Sequence, residues 1–183
     1  MGMGQLRRHI EAYLIAKDNN KPHLMPQVFI QDAELRMQVD SNNINFPPKV
    51  SGEAEITATL VQRFNEAHQN IYTFCLPESL SESMPDEQGY VTCRWFVCMQ
   101  DKRSTEIKIG AGWYRWYAGD QQIERLDIEI QQMNLSLADK QSVIFSWAQR
   151  LPWPWCSAEI AVETLPCISE MDALREFLVH GQS

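Results

Sequence analysis

The sequence has little of what marks secreted, membrane-spanning or metal-binding proteins. No stretch approaches the roughly 20 consecutive apolar residues that cross a bilayer. The 5 cysteines are odd in number and form no Cys-x-x-Cys pair, which argues against a disulfide framework and against a zinc knuckle. The 4 histidines show no His-x-x-x-His spacing. We therefore expect a cytoplasmic protein with reduced thiols, no metal ion and no bound cofactor.

Positive charge is scarce as well. The chain has 16 Lys and Arg residues against 24 Asp and Glu residues, so its formal net charge is −8. A surface of this sign repels phosphate backbones, and no segment suits a bilayer, so we expect no nucleic-acid and no membrane partner. A chain of 183 residues is long enough to form one domain with its own core, without disulfide or metal staples.

Hydrophobic periodicity predicts the order of the secondary structure elements in the first half of the chain. The predicted elements are helices at 5–17, 22–25 and 53–68 and strands at 32–39, 71–75 and 91–99. Lys17 is assigned to the polar side of the first helix, Pro22 opens the second, and Ser51 is placed to cap the third. A loop rich in Ser, Glu and Pro is predicted at 77–89. Helices mixed with several antiparallel strands make this an α+β fold.

The most regular pattern lies between Ile107 and Met133. Two long alternating segments flank a turn that contains Gly119, which predicts a β-hairpin of long strands. Glycine inside the first of these strands is typical of a bend or bulge. Alternation predicts one inward face of the hairpin, made of Lys108, Gly110, Gly112, Tyr114, Trp116, Leu126, Ile128 and Ile130.

The pattern becomes helical again after this hairpin. A helix is predicted to begin near Ser136, and the Leu-Pro-Trp-Pro-Trp run at 151–155 ends it because proline breaks a helix interior. A last amphipathic helix is predicted after Ser169. We expect Trp147, Trp153 and Trp155 to anchor these helices on the body of the protein.

Four short motifs occur in a characteristic order: Phe29–Leu35, Ser51–Ile56, Gly112–Trp116 and Ile123–Leu126. Over about residues 5–133 the chain resembles the nuclear transport factor 2-like superfamily, also called cystatin-like or SnoaL-like. The resemblance implies a cone-shaped, curved antiparallel sheet wrapped on N-terminal helices around an apolar pocket. We expect this cone over 1–135 and a helical extension over 136–183, packed on the same domain.

The resemblance and the strand alternation together predict the pocket. The predicted ligand-binding residues are Tyr13, Met37, Trp95, Tyr114, Trp116, Leu126 and Ile128. Ketosteroid isomerase-like members are expected to carry a tyrosine on the first helix, where Tyr13 lies, and carboxylates on two strands. Those carboxylate positions fall near Met37 and Gly112 here, which disfavours isomerase chemistry of that type. The remaining catalytic candidates are Tyr13, His23 and Asp40.

Two functions of different classes fit this sequence, because the fold hosts both enzymes and non-catalytic proteins. The first is a small-molecule-binding domain with an apolar, aromatic-lined pocket, with lyase-like or isomerase-like activity on a hydrophobic cyclic substrate. The second is a non-catalytic assembly protein similar to the small subunit of aromatic-ring dioxygenases. Both predict a homodimer through an open sheet face that carries Arg94, Phe96, Trp113 and Tyr117.

Overall fold

The chain begins and ends with helices, and the strands of its sheet lie between them in the sequence. The computed structural model describes residues 1–80 and 89–180, so part of the predicted loop at 77–89 lies outside the described residues. The helices are α1 (Met3–Asp18), α2 (Met25–Val28), α3 (Glu53–Thr57), α4 (Arg63–Ala67), α5 (Gln141–Ala148), α6 (Ala158–Glu163) and α7 (Asp172–His180). The strands are β1 (Phe29–Val39), β2 (Lys49–Ser51), β3 (His68–Cys75), β4 (Val91–Asp101), β5 (Ile107–Ala118) and β6 (Ile123–Ser136). The predicted α+β class is confirmed.

The six strands form one sheet in the order β2-β1-β6-β5-β4-β3. The predicted hairpin is confirmed, since β5 and β6 pair antiparallel from Ile107 opposite Ser136 to Ala118 opposite Ile123. One pair departs from the predicted antiparallel sheet, because β1 runs parallel to β6. A parallel pair needs a long crossover connection, and the chain between these two strands supplies one that includes the other four strands of the sheet.

Gly112 marks a bulge at the centre of the hairpin. The pairing of β5 with β6 shifts between Ala111 and Gly112, as the sequence predicts for glycine inside this strand. A Cβ atom at Gly112 would lie 1.8 Å from the backbone oxygen of Glu129, so only glycine allows the two strands to approach here. The bulge bends β5 and so contributes to the curvature of the cone.

The sheet has a separate hydrophobic core on each of its two faces. The inner core packs the sheet against α1, α2 and the helical segment 53–67, and the predicted inward residues Tyr114, Trp116 and Ile128 belong to it. The outer core packs the opposite face of β3, β4 and β5 against the C-terminal helices. Ile107 and Ile109, which alternate with the inward residues of β5, are buried there.

The C-terminal helices therefore cover much of the sheet face that was expected to be open. Phe96 is fully buried, and its ring stacks on Trp147 with a centroid distance of 6.0 Å. Arg94 is 2% exposed and its guanidinium lies over the Phe177 ring at 4.2 Å. The predicted exposure of Arg94 and Phe96 was wrong, because strand alternation identifies a face of the sheet and not what packs on it.

Two tryptophans tie the extension to the body of the protein. Trp147 is buried in the outer core and donates a hydrogen bond to the carbonyl of Ala161 at 3.1 Å. Trp155 donates to Glu11 on α1 at 2.7 Å. Trp153 is more exposed, at 36%. None of the helices in the described ranges has the length and apolar character needed to cross a bilayer.

Smaller differences from the prediction occur where a local pattern gives no signal. Helix α6 and the short strand β2 were not predicted, and Ser51 is the last residue of β2 instead of a helix cap. Gly52 occupies the N-cap position of α3 and, having no side chain, gives this helix no side-chain capping hydrogen bond. The helix that follows is also irregular, since a π-helical segment, Ala58–Gln62, joins α3 to α4.

Candidate functional site

A narrow cavity, here called the inner cavity, lies inside the cone between the sheet and the N-terminal helices. Its lining is mostly apolar and aromatic: Tyr13, Lys17, Met37, Ile44, Phe46, Leu60, Phe64, Thr73, Trp95, Val97, Met99, Tyr114, Ile128, Ile130 and Met133. The cavity volume is about 40 Å³. One water molecule needs about 10–15 Å³ measured in this way, so the cavity has room for only a few waters.

The structure brings together five of the seven residues predicted to bind a ligand. Tyr13, Met37, Trp95, Tyr114 and Ile128 line the inner cavity, although their part in ligand binding stays a prediction. The other two, Trp116 and Leu126, are fully buried in the inner core behind the lining. They belong to the same face of the hairpin, but alternation cannot tell a lining residue from one packed deeper.

The other catalytic candidates lie elsewhere. His23 and Asp40 are both exposed and neither lines the inner cavity. His23 lies in the short 3-10 helix Pro22–Leu24 that precedes α2. Asp40 comes directly after β1, and its backbone N–H donates to the carbonyl of Ile130. Of the three catalytic candidates, only Tyr13 therefore contributes to the cavity.

Lys17 and Thr73 are polar residues of the lining, and Lys17 forms a buried ion pair at the end of α1. Lys17 donates to the carboxylate of Asp18 at 2.8 Å and to the Thr73 hydroxyl at 2.6 Å. The side chains of Lys17 and Asp18 are 8% and 1% exposed. Thr73 donates its backbone N–H to Asp18 at 2.6 Å and its hydroxyl at 2.9 Å, which fixes the carboxylate against β3. Burial raises the pKa of Asp18, although Lys17 and Thr73 oppose this shift.

Two buried tyrosines face each other beside this ion pair. The rings of Tyr13 and Tyr114 meet edge to face at a centroid distance of 5.9 Å. Burial raises the pKa of both hydroxyls above the ordinary value of 10.0. Both tyrosines therefore keep their protons at neutral pH and act as hydrogen-bonding groups, not as bases.

Trp95 lines the cavity and carries an unused hydrogen-bond donor. Its ring stacks on Tyr114 with a centroid distance of 5.6 Å and an interplanar angle of 26°. The Nε1 atom is buried and has no hydrogen-bond partner among the described residues. A buried indole N–H usually finds a partner. Trp116 Nε1 is likewise buried without a partner, but it lies outside the lining, and the rings of Tyr13, Phe29 and Tyr114 surround its indole.

A wider and more polar space, here called the outer cleft, adjoins the inner cavity. It is lined by Asn42, Asn43, Ile44, Asn45, Phe46, Pro47, Thr59, Arg63, Phe64, Ala67, His68, Asp101 and Lys108, and its volume is about 410 Å³. Ile44, Phe46 and Phe64 line both spaces, so these three side chains separate them. A ligand that reached the inner cavity from this side would pass these three side chains.

The sequence analysis missed Lys17, Asp18, Thr73 and His68. Lys17 had been assigned to the polar side of α1, although it continues the apolar stripe of Ile10, Tyr13 and Leu14 at helical spacing, and this spacing was the available signal. His68 begins β3, whereas the sequence pattern predicted a helix up to this residue. Within residues 1–80 and 89–180, no three His, Cys, Asp or Glu side chains are grouped so as to hold a metal ion.

Several known protein structures are similar to the structure of this chain. No protein-family model matches the sequence, and no curated protein matches it either. A proposed isomerase from Rhodopseudomonas palustris has a similar structure, with a TM-score of 0.58 and 10% identity over 72% of this chain and 93% of its own. A hexachlorocyclohexane dehydrochlorinase gives a TM-score of 0.54 and 11% identity over 73% of this chain and 88% of its own.

A third similar structure carries the name of the fold itself. A nuclear transport factor 2-like protein from Burkholderia xenovorans gives a TM-score of 0.52 and 14% identity over 71% of this chain and 92% of its own. Identities this low establish the fold and leave the reaction open. The sheet order and the cone around the inner cavity are consistent with these similar structures. The chain therefore has the nuclear transport factor 2-like fold that its sequence motifs indicated.

Proposed function

We propose that this protein binds a hydrophobic, cyclic small molecule in the inner cavity, and that the ligand carries an oxygen atom that accepts hydrogen bonds. The observation that carries the proposal is the buried Nε1–H of Trp95, which has no partner in the described residues although Trp95 lines the cavity. Leaving a buried donor unpaired costs about 1–3 kcal/mol. A ligand oxygen removes this cost, and the apolar walls favour a ring compound.

The titratable groups of the lining support binding without proton abstraction. They are Tyr13, Lys17 and Tyr114 among the described residues. Both tyrosines keep their protons, and Lys17 is held in an ion pair with Asp18. Removal of a proton next to a carbonyl needs a base within hydrogen-bond reach. We therefore favour a binding domain over a lyase or isomerase of that mechanism, while the dehydrochlorinase with the same fold supports a hydrophobic cyclic ligand.

The test uses the indole N–H signals in a nitrogen–proton NMR spectrum and two probes of similar size, cyclohexanone and cyclohexane. Trp95→Phe identifies the Trp95 signal among those of the 6 tryptophans. We expect cyclohexanone to move this signal to lower field in a saturable way, because its carbonyl oxygen accepts the indole N–H. Cyclohexane offers no acceptor and is expected to leave the signal in place.

Trp116 provides the matched control for this experiment. Its Nε1 atom is buried and unpartnered in the same way, but it does not line the inner cavity. Its signal, identified with Trp116→Phe, is expected to stay in place. If cyclohexanone moves neither signal, or moves both to the same extent, the proposed ligand site is wrong.

The small volume of the inner cavity favours a second candidate function. A drug-sized ligand usually occupies about 300–1,000 Å³, whereas this cavity measures about 40 Å³. A cone filled by its own side chains fits a non-catalytic assembly protein, similar to the small subunit of aromatic-ring dioxygenases. That function predicts no response of Trp95 to either probe and a stable complex with a co-expressed large oxygenase subunit in native mass spectrometry.

We also propose that the protein is a homodimer, which uses the part of the outer sheet face that the C-terminal helices leave uncovered. Trp113 and Tyr117 are half-buried on this part, beside the ion pair of Arg115 with Glu129. Trp113→Glu places a charge in the interface and is expected to give a monomer in light scattering after gel filtration. Val143→Glu changes an exposed residue of α5 and should leave the dimer intact. A monomeric wild-type protein at micromolar concentration would contradict this proposal.

A further inference from the structure

The outer cleft contains a lysine whose side chain is largely enclosed and whose ammonium group has an imidazole ring as its nearest partner. Lys108 Nζ lies 3.0 Å from His68 Nε2 and 3.7 Å from the nearest carboxylate oxygen, which belongs to Asp101. The side chain of Lys108 is only 13% exposed. Lysine is seldom enclosed to this extent without a hydrogen-bonded partner of opposite charge. At 3.7 Å Asp101 forms an ion pair with Lys108 that is too long for a hydrogen bond, so the ammonium has hydrogen-bonding capacity for a further acceptor.

The imidazole contributes no negative charge beside Lys108. His68 Nδ1 lies 3.1 Å from the carbonyl oxygen of Phe64, which can only accept, so Nδ1 carries the proton. The other ring nitrogen, Nε2, then accepts a hydrogen bond from Lys108. Burial, followed by the charge of Lys108, lowers the pKa of His68 to about 4. His68 is therefore neutral at physiological pH and orients the ammonium without balancing its charge.

The carboxylate of Asp101 accepts hydrogen bonds from the backbone of the turn that follows it. Its Oδ1 atom accepts the backbone N–H groups of Arg103 at 2.8 Å and Ser104 at 2.9 Å. These N–H groups, above all that of Ser104, lower the pKa of Asp101 and keep it ionised. The lining of the cleft also includes the exposed cation Arg63. Two cations against one anion leave the cleft positive in a chain whose formal net charge is −8.

We propose that the outer cleft binds a carboxylate group, at Lys108 and Arg63, and that the ligand of this protein is a hydrophobic cyclic carboxylic acid. The inference rests on the proposed function, because the ring of this ligand enters the inner cavity past Ile44 and Phe46. A carboxylate accepts the hydrogen bonds that Lys108 does not give to Asp101, and it balances the excess charge of the cleft. The volume of about 410 Å³ accommodates this group and its water shell.

The test compares benzoate with benzamide, which has nearly the same shape and no charge. The readout is the set of ring signals of His68 in carbon–proton NMR at pH 7, which His68→Gln identifies among the 4 histidines. We expect benzoate to shift the His68 signals saturably, and benzamide to bind at least tenfold more weakly. Lys108→Met should weaken benzoate binding at least tenfold, because it removes the ammonium and retains a side chain of similar length.

Two further variants guard against indirect effects. Arg63→Gln changes an exposed residue, so the fold is kept, and it is expected to weaken benzoate binding severalfold. Lys21→Met removes the same charge from an exposed position outside the cleft and should bind benzoate like the wild type. Benzamide binding as tightly as benzoate, or unchanged benzoate binding in both Lys108→Met and Arg63→Gln, would overturn the inference.

The two sites are tested separately. A response of Trp95 to cyclohexanone without a response of His68 to benzoate would refute the carboxylate site alone. A response of His68 without one of Trp95 would refute the ring site of the proposed function and retain the carboxylate site.

Discussion

Asp18→Ala is expected to lower the free energy of unfolding by about 3–5 kcal/mol, the usual cost of removing one partner of a buried ion pair. The ammonium of Lys17 would stay in the protein interior without its counter-charge, since its other contacts are the Thr73 hydroxyl and the Phe64 ring. The backbone N–H of Thr73 would also lose its acceptor. Urea denaturation followed by circular dichroism measures the change.

Three comparisons separate the charge from the hydrogen bonds. Asp18→Asn keeps an oxygen for Thr73 and loses the charge, so we expect an intermediate loss of stability. In Lys17→Met/Asp18→Asn neither charge remains, and we expect part of the stability of Asp18→Asn to be regained. Asp32→Ala removes an exposed carboxylate from β1 and should change stability by less than about 0.5 kcal/mol. An Asp18→Ala protein within about 1 kcal/mol of the wild type would contradict the structural role of the pair.

Gly112→Ala is expected to prevent folding or to reduce stability by more than the about 1–3 kcal/mol that overpacking usually costs. The new Cβ atom would lie 1.8 Å from the backbone oxygen of Glu129 and 3.0 Å from the Trp95 ring. Backbone cannot rotate away as a side chain can, so the central hairpin would have to separate at its bulge. Soluble expression and thermal unfolding by circular dichroism test this expectation.

Gly110→Ala is the matched control in the same strand. Its Cβ atom would first meet the end of the Met133 side chain, at 2.4 Å. Methionine has three rotatable bonds and adapts to a neighbour, so we expect a folded protein that loses about 1–2 kcal/mol of stability. Equal stability of the Gly110→Ala and Gly112→Ala proteins would show that the approach of the strands at the bulge does not constrain this fold.

The sequence predicted features whose cause is local. Alternation over 107–133 identified the hairpin and its inward face, because side chains of a strand point to opposite sides of the sheet in turn. Glycine at 112 predicted the bulge because a side chain is excluded there. Alternation also placed Tyr114 and Ile128 in the interior, and helical spacing placed Tyr13 there, and all three line the inner cavity.

The features that the sequence analysis missed depend on partners far apart in the chain. Lys17 is buried because Thr73, 56 residues away, meets it on β3. Phe96 was predicted to be exposed because its strand pattern is that of a sheet face, and the helices that cover it begin beyond residue 140. Alternation describes one strand at a time, so it contains no information about which element packs above it.

The sequence by itself determined the fold class, the long hairpin with its bulge and the aromatic character of the interior, since these follow from residue spacing and from the sterics of glycine. Only the tertiary structure decided that the inner cavity is nearly filled, that Lys17 and Thr73 line it beside the buried Asp18, and that Lys108 lies against a neutral His68 in the outer cleft. Burial and hydrogen bonding set the charge and reactivity of such groups, and both exist only after distant segments have packed together.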